Sequence, residues 1–321
     1  MARKIWFRAV SAALSVAVVG YVAWALSRNW HAYATQPLDV HPRWGLVLAS
    51  GAAIVGAYAV LIQTWRIMLV EWGGQLRFWR AAHIWSVTNL YRYVPGWVWQ
   101  IGAMGVMAQR EGVSPVAATG SSILSTIVNI TTGFAIALGA GSVALDALHP
   151  GTSRVALALT VVAVVGLVML PAAMPRVLAL LRRATGREIP DATVPPRVIA
   201  YAIVGNLIAW VLYGLALYLL VAGVLGHAAG ALSSYVAVYS AAYVLGYIWV
   251  FLPAGLGVRD GTMAAALPAF KLMTPPQALV IAVSSRLWTS VLEVVPGVLF
   301  LAVDAWRRRA SLSKKSNASS R

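Results

Sequence analysis

Cysteine is absent from this chain, and acidic residues are scarce. Without cysteine, the 321-residue protein forms neither a disulfide nor a thiolate metal site. The five histidines are scattered without metal-ligand spacing. Only nine residues are Asp or Glu, and no hydrophilic stretch is long enough for a separate catalytic domain. These absences predict a protein without a metal or another cofactor.

What the chain has in abundance is hydrophobic sequence. Hydrophobic residues make up 60% of it, and its mean hydropathy is +0.76. A soluble domain does not have this composition, and apolar runs long enough to cross a bilayer recur from end to end. The sequence therefore predicts an all-α polytopic membrane protein. About six full transmembrane helices are expected, at residues 6–26, 44–68, 115–145, 155–175, 198–224 and 275–303.

The basic residues indicate how the chain is oriented. The net charge of +16 would suggest nucleic acid binding in a soluble protein, but here the charges cluster in short loops and at both ends. The positive-inside rule explains that pattern, so no nucleic acid partner is expected. Both termini and a loop at 176–197 are predicted to be cytoplasmic, in the inner (plasma) membrane. The run at 6–26 has no A-x-A cleavage site and is interpreted as a retained helix.

Two further apolar segments, 81–110 and 232–271, are interrupted by proline and glycine close to an arginine. Proline removes a backbone donor, and the freed polar groups survive in a membrane only inside protein or a watery cavity. The arms on either side of the first break have about 14 residues each, too short to cross ~30 Å of hydrocarbon. Both segments are therefore predicted to be re-entrant hairpins, and broken helices of this kind mark binding sites in transporters.

The layout also predicts an internal repeat. The prolines of the two breaks, Pro95 and Pro253, are 158 residues apart, and each hairpin is followed by a helix-start signal, Ser114-Pro115 or Thr274-Pro275. The number of predicted spans makes the second unit enter the membrane from the side opposite to the first. Two units in opposite orientations form an inverted repeat. The predicted organisation is an N-terminal helix and outer loop (1–43), a first repeat (44–148), a connecting helix and basic cytoplasmic loop (149–197), a second repeat (198–303) and a basic cytoplasmic tail (304–321).

Three motifs in these segments are similar to those of a known family. They are Tyr93-Val94-Pro95-Gly96-x-Val98-Trp99-Gln100, Pro253-Ala254-Gly255-Leu256-Gly257-Val258-Arg259-Asp260-Gly261, and Ser285-Arg286-Leu287 followed by Leu292-Glu293. On these motifs, over about 44–303, the chain resembles the transmembrane, flippase-like domain of lysylphosphatidylglycerol synthases. It is expected to be a stand-alone member without the synthase domain.

The resemblance implies translocation of a polar lipid between leaflets. Family members usually have Glu where this chain has Asp260. Members fused to a synthase usually have Gly-Glu and an Arg after the first break, where this chain has Trp97-Val98-Trp99-Gln100. That departure argues against an aminoacyl-phospholipid as the substrate.

The candidate site residues flank the two breaks or lie on the last helix. Ionisable groups within a membrane are costly, so they are functional candidates, and guanidinium matches phosphate well. The predicted substrate-binding residues are Arg92, Tyr93, Pro95, Gly96, Trp99, Gln100, Pro253, Gly255, Gly257, Arg259, Asp260, Arg286 and Glu293. Weaker cavity-lining candidates are Asn89, Tyr239, Tyr243 and Tyr247, the tyrosines lying at helical spacing that packing alone also explains.

Each ionisable candidate also has a structural interpretation. Arg259 and Asp260 could simply hold the second hairpin together, and Arg92 could extend to the inner interface. Arg286 and Glu293 are seven residues apart on one helix face, too distant for an ordinary direct pair. Each is expected to meet a group on another helix, with Asp260 as one option for Arg286, either as a clamp or in a substrate role.

The sequence favours a flippase- or scramblase-like translocase of an anionic lipid, either a phospholipid or a polyprenyl-phosphate-linked sugar. The alternatives are an ion-coupled transporter of a small anion and an accessory subunit of a cell-envelope glycosyltransferase. An enzyme is not expected, because the outer-side acids Asp39 and Asp146 lack paired spacing. Membrane lipids are the predicted partners, with a glycosyltransferase or a second copy of the chain as further possibilities.

Overall fold

The structure, a computed structural model, describes residues 42–93, 98–148, 151–185, 195–249, 255 and 257–319. Over these residues the chain is helical, which confirms the predicted all-α class. A 3-10 turn at Leu90–Tyr93 follows the second helix. The α-helices are α1 (Trp44–Glu71), α2 (Phe78–Asn89), α3 (Val98–Arg110), α4 (Pro115–Leu148), α5 (Thr152–Thr185), α6 (Pro196–Leu225), α7 (Leu232–Ile248), α8 (Val258–Ala269) and α9 (Pro275–Ser319).

Five of the described helices, α1, α4, α5, α6 and α9, are long and apolar enough to cross a membrane. The protein is thus a multi-pass membrane protein. Five of the six predicted full spans correspond to these helices, while the run at 6–26 lies outside the described residues. The apolar stretches are Trp44–Glu71, Pro115–Ser142, Thr152–Arg176, Pro196–Leu225 and Pro275–Arg307.

The other four helices are short. α2, α3 and α8 have 12, 13 and 12 residues, and α7 has 17. At ~1.5 Å per residue, each is shorter than ~30 Å of hydrocarbon. The chain therefore leaves the helical conformation within both composite segments, as predicted from proline and glycine. Pro95, Gly96 and Pro253 themselves lie outside the described residues.

Local helix-start signals are confirmed where they were predicted. α4 begins at Pro115, and the amide of Ala117 donates to the Ser114 hydroxyl at 3.2 Å. α9 begins at Pro275, and the amide of Thr274 donates to the Gln277 side-chain oxygen at 3.0 Å. These side chains satisfy groups that the first turn of a helix leaves without partners.

One prediction about a loop was wrong in part. The stretch at 176–197 was expected to be a loop, but α5 continues to Thr185. Leucine, alanine and arginine follow Pro175 in this region, and these are strong helix formers, so the helix extends beyond its apolar part. The last helix likewise continues to Ser319, through most of the segment assigned to a basic tail.

The helices pack in a reciprocal pattern. α1 and α6, the first helices of the two predicted repeats, pack side by side along their lengths. α4, which ends the first unit, packs against α7 of the second, and α9, which ends the second unit, packs against α2 of the first. Each unit therefore contributes its last helix to the broken segment of the other.

Glycines on α6 permit its close contacts with neighbouring helices. A Cβ at Gly214 would lie 2.6 Å from Val236 Cα on α7, and a Cβ at Gly223 would lie 3.0 Å from the backbone nitrogen of Val47 on α1. Real Cβ atoms essentially never come as close as the first distance, and the second is tighter than most real Cβ contacts. Small residues drive helix association in membranes because they allow backbones to approach.

Gly214→Ala is expected to destabilise the protein, because backbone at Val236 cannot move away as a flexible side chain could. Overpacking of this kind costs about 1–3 kcal/mol. The measurement is the thermal unfolding midpoint of the purified protein in detergent. Gly166→Ala on α5 is the matched control, since its added Cβ would meet nothing within 4 Å. Equal midpoints for the two variants would contradict the close-approach argument.

Candidate functional site

The arginines of the two broken segments meet at one tyrosine. Arg92 donates from Nη2 to the Tyr243 hydroxyl, and its Cζ lies 5.3 Å from the centre of the Tyr243 ring. The Cζ of Arg259 lies 5.8 Å from the centre of the same ring. Both distances lie within the range of a cation–π attraction. Two positive groups separated by 167 residues therefore contact the same tyrosine on α7.

Glu293 on α9 holds the end of the first broken segment. Its Oε1 lies 3.0 Å from Arg92 Nη1, and its Oε2 accepts a hydrogen bond from the Tyr93 hydroxyl at 3.1 Å. The Tyr58 hydroxyl donates to Oε1 at 3.3 Å. The Arg92 side chain is only 16% exposed, which disfavours the alternative interpretation in which it extends to the interface. It is instead paired inside the helix bundle.

Arg259 lies at the start of α8 and is buried. It donates from Nη2 to the Tyr239 hydroxyl at 3.0 Å, and its Cζ lies 5.2 Å from the centre of that ring. Tyr239 in turn stacks on Tyr213 of α6, with ring centres 5.0 Å apart. Arg259 thus has a tyrosine partner besides its chain neighbour Asp260.

Two glycines bring the end of α7 against the start of α8. A Cβ at Gly255 would lie 2.8 Å from Gly246 Cα, and one at Gly246 would lie 2.8 Å from Arg259 Cβ. Gly255 also has a φ of +68°, which favours glycine. The sequence analysis missed Gly246. The pattern that could have identified it is a glycine inside a short, mainly apolar helical arm. Together these glycines set the position of Arg259.

Asp260 and Arg286 are two further charged residues buried near Arg259 and Glu293. Asp260 Oδ2 accepts a hydrogen bond from the Gly257 amide at 3.4 Å, and so binds the N-terminus of its own helix. Arg286 on α9 is buried, attracted by the carboxylates of Asp260 and Glu293 and repelled by Arg259. An electrostatic interaction between Arg286 and Asp260 was one of the options predicted from the sequence.

We call Arg92, Arg259, Asp260, Arg286 and Glu293 the ionic cluster. Its described members are three guanidiniums and two carboxylates, which leaves one positive charge in excess. A buried charge without compensation is costly, so an anion entering this region would be stabilised. The ionic cluster is therefore suited chemically to bind an anion such as phosphate.

A polar cleft adjoins the ionic cluster at Arg92. Its cavity volume is about 60 Å³. Gln100 Nε2 donates to Asn89 Oδ1 at 2.7 Å at its edge. Hydroxyl groups of α4 also line the cleft, and the sequence analysis missed them, although their spacing of three and four residues places them on one helix face. They belong to Ser122, Ser125 and Thr126.

The family model described as the lysylphosphatidylglycerol synthase TM region matches residues 9–297. The chain belongs to this family. The match confirms the resemblance predicted from the sequence motifs, and it includes both broken segments and every member of the ionic cluster. No curated protein matches the chain.

In this family member the structure gathers most of the predicted site residues. Tyr239 and Tyr243 contact the arginines, and Tyr247 lines the polar cleft. Among the candidates that the structure describes, Trp99 is an exception, because its side chain is 55% exposed and does not line the cleft. Tyr235, one turn before Tyr239, only packs in the core, where its hydroxyl donates to a backbone carbonyl.

Glu293→Gln is expected to destabilise this family member strongly while keeping the side-chain volume. It removes the carboxylate paired with Arg92, and breaking a buried ion pair costs about 3–5 kcal/mol. The control is Glu71→Gln, which breaks the 3.3 Å pair with the 72%-exposed Arg197 and should cost at most about 1 kcal/mol. Thermal unfolding midpoints in nanodiscs compare the two, and equal shifts would refute a stabilising role for Glu293.

Proposed function

We propose that the protein translocates a phosphate-bearing anionic lipid between the leaflets of the membrane. The observation that carries this proposal is the excess positive charge of the ionic cluster, buried where the two broken segments meet. A guanidinium binds phosphate through two parallel hydrogen bonds and stays charged when desolvated. Membership of a lipid-related membrane family makes the phosphate of a lipid the preferred anion.

The proposed architecture is an inverted repeat with two re-entrant hairpins. The reciprocal packing of α4 on α7 and of α9 on α2 supports it, because a pseudo-two-fold axis would relate these contacts. In this arrangement the first hairpin opens to the cytoplasm and the second to the outside. Both termini would be cytoplasmic, in the inner membrane, in keeping with the distribution of basic residues.

The proposed mechanism is an exchange of partners around Arg92. In the described conformation its guanidinium is bound to Glu293 and Tyr243. A lipid phosphate reaching the polar cleft competes with Glu293 for that guanidinium, and this loosens the contact between the first broken segment and α9. Arg259, which contacts the same Tyr243 ring, can then bind the phosphate and pass it toward the opposite leaflet.

The protein is proposed to be a translocase and not an enzyme. The environment of Asp146, an acid predicted on the outer side, supports this. Its Oδ1 accepts hydrogen bonds from the Gly151 amide at 2.8 Å and from the Ser153 hydroxyl at 2.9 Å. These bonds, chiefly those from Ser153, hold the pKa of the Asp146 carboxyl below its usual range. Such a carboxylate caps the start of α5 and, because its pKa is lowered, is a weak general base.

Arg259→Ala is expected to lower the rate of lipid translocation about 10- to 150-fold in proteoliposomes. It removes a buried guanidinium from the proposed path, and charged hydrogen bonds of this kind are worth about 1.5–3 kcal/mol. Arg259→Lys should retain an intermediate rate, because it keeps the charge without the two-pronged geometry. The measurement follows fluorescent phospholipid and polyprenyl-phosphate sugar across the bilayer.

Arg197→Ala is the control, because that arginine is exposed and lies outside the ionic cluster. It should translocate lipid at the wild-type rate. An unchanged rate in Arg259→Ala would overturn the mechanism. Uptake of a water-soluble anion without any lipid movement would favour the small-anion transporter instead.

A further inference from the structure

We propose that the polar cleft selects a lipid whose phosphate carries an uncharged polyhydroxylated headgroup, such as an inositol or a hexose. This inference rests on the proposed function and specifies its substrate class. It comes from the chemistry of the groups that line the cleft, which differs from the chemistry of the ionic cluster beside it.

The lining of the cleft is neutral apart from Arg92. Its polar groups in the described part of the chain are amides and hydroxyls, and no carboxylate is among them. Amides and hydroxyls both donate and accept hydrogen bonds, as the hydroxyls of a sugar do. A headgroup with an ammonium group, such as a lysyl ester, would be repelled by Arg92, and the neighbouring carboxylate, Glu293, is already held by Arg92, Tyr93 and Tyr58.

The local hydrogen bonds leave matching groups available. Asn89 accepts from Gln100 through its side-chain oxygen, so its NH₂ group remains a donor and the Gln100 oxygen remains an acceptor. The Ser122 hydroxyl donates to the Ala118 carbonyl of its own helix at 2.8 Å, which leaves its oxygen as an acceptor. The cleft thus presents both kinds of partner that a polyol requires.

Trp85 adds an observation of a different kind. Its indole Nε1 is buried beside the cleft and has no hydrogen-bond partner among the described residues. A buried donor without a partner is costly, and a headgroup hydroxyl could accept from it. Arg92 at one end of the cleft would bind the phosphate while the neutral groups bind the ring.

The cleft is small in the described conformation. A cavity of about 60 Å³ admits water-sized groups, so the groups that line it must move apart to admit a headgroup.

The test compares lipids that differ in headgroup hydroxyls and not in charge. Proteoliposomes receive fluorescent phosphatidylinositol or fluorescent phosphatidylethanol, which are phosphodiesters of the same charge with the same acyl chains. Phosphatidylinositol is expected to cross at least about tenfold faster, because each lost hydrogen bond leaves a polar group of the cleft unpaired. Lysylphosphatidylglycerol is expected to be the slowest. A polyprenyl-phosphate hexose, tested in parallel, shows whether the glycerolipid or the polyprenyl form of the headgroup is preferred.

Matched serine variants on α4 test whether a hydroxyl of the cleft causes the preference for phosphatidylinositol over phosphatidylethanol. Ser122→Ala removes a hydroxyl from the cleft and should lower the ratio of the phosphatidylinositol rate to the phosphatidylethanol rate about fivefold. Ser142→Ala is the control, since its hydroxyl bonds a carbonyl of the same helix in the same way but does not line the cleft. It should keep the wild-type ratio.

The outcomes separate this inference from the proposed function. If none of the lipids moves, the translocase function is wrong and the inference fails with it. If phosphatidylethanol or lysylphosphatidylglycerol moves as fast as phosphatidylinositol, translocation stands and the selectivity for polyols is overturned. A ratio lowered equally by Ser122→Ala and Ser142→Ala would also overturn it.

Discussion

The cost of burying charge inside a membrane protein governs this structure. Five ionised side chains lie away from water in the ionic cluster, and each must have a partner to remain there. The partners come from different parts of the chain, so the charges can be satisfied only when the helices are assembled. The pairing of Arg92 with Glu293, for example, joins the first broken segment to the last helix. The site and the fold therefore depend on the same contacts.

Tyrosines make this arrangement possible. Tyr243 receives a hydrogen bond from Arg92 and presents its ring to Arg259, so it contacts two positive groups without adding a charge. Tyr239 does the same for Arg259 alone. A phenol offers a hydroxyl acceptor and an electron-rich face, and both attract a guanidinium. The ionic cluster keeps its excess positive charge because part of that charge is stabilised by neutral rings.

Much of the local structure could be predicted because its causes are local. Apolar runs predicted the spans, and the prolines after Ser114 and Thr274 predicted two helix starts. Proline together with glycine predicted the breaks between the short arms. The end of α5 was misjudged, because helix formers continue past the apolar stretch. Trp99 was included from a motif, yet its side chain is exposed and does not line the cleft. A motif identifies a segment but does not specify which of its side chains turn inward.

By itself, the sequence determined that this is a helical membrane protein with two interrupted segments and intramembrane arginines, and its motifs determined the family. Hydropathy and proline act over a few residues, so they can be read without a structure. Only the tertiary structure decided that Arg92 pairs with Glu293, that Tyr243 joins the two arginines, and that α4 supplies hydroxyls to the cleft. Those partners are far apart along the chain, and the energy of a buried charge depends on which groups the fold places around it.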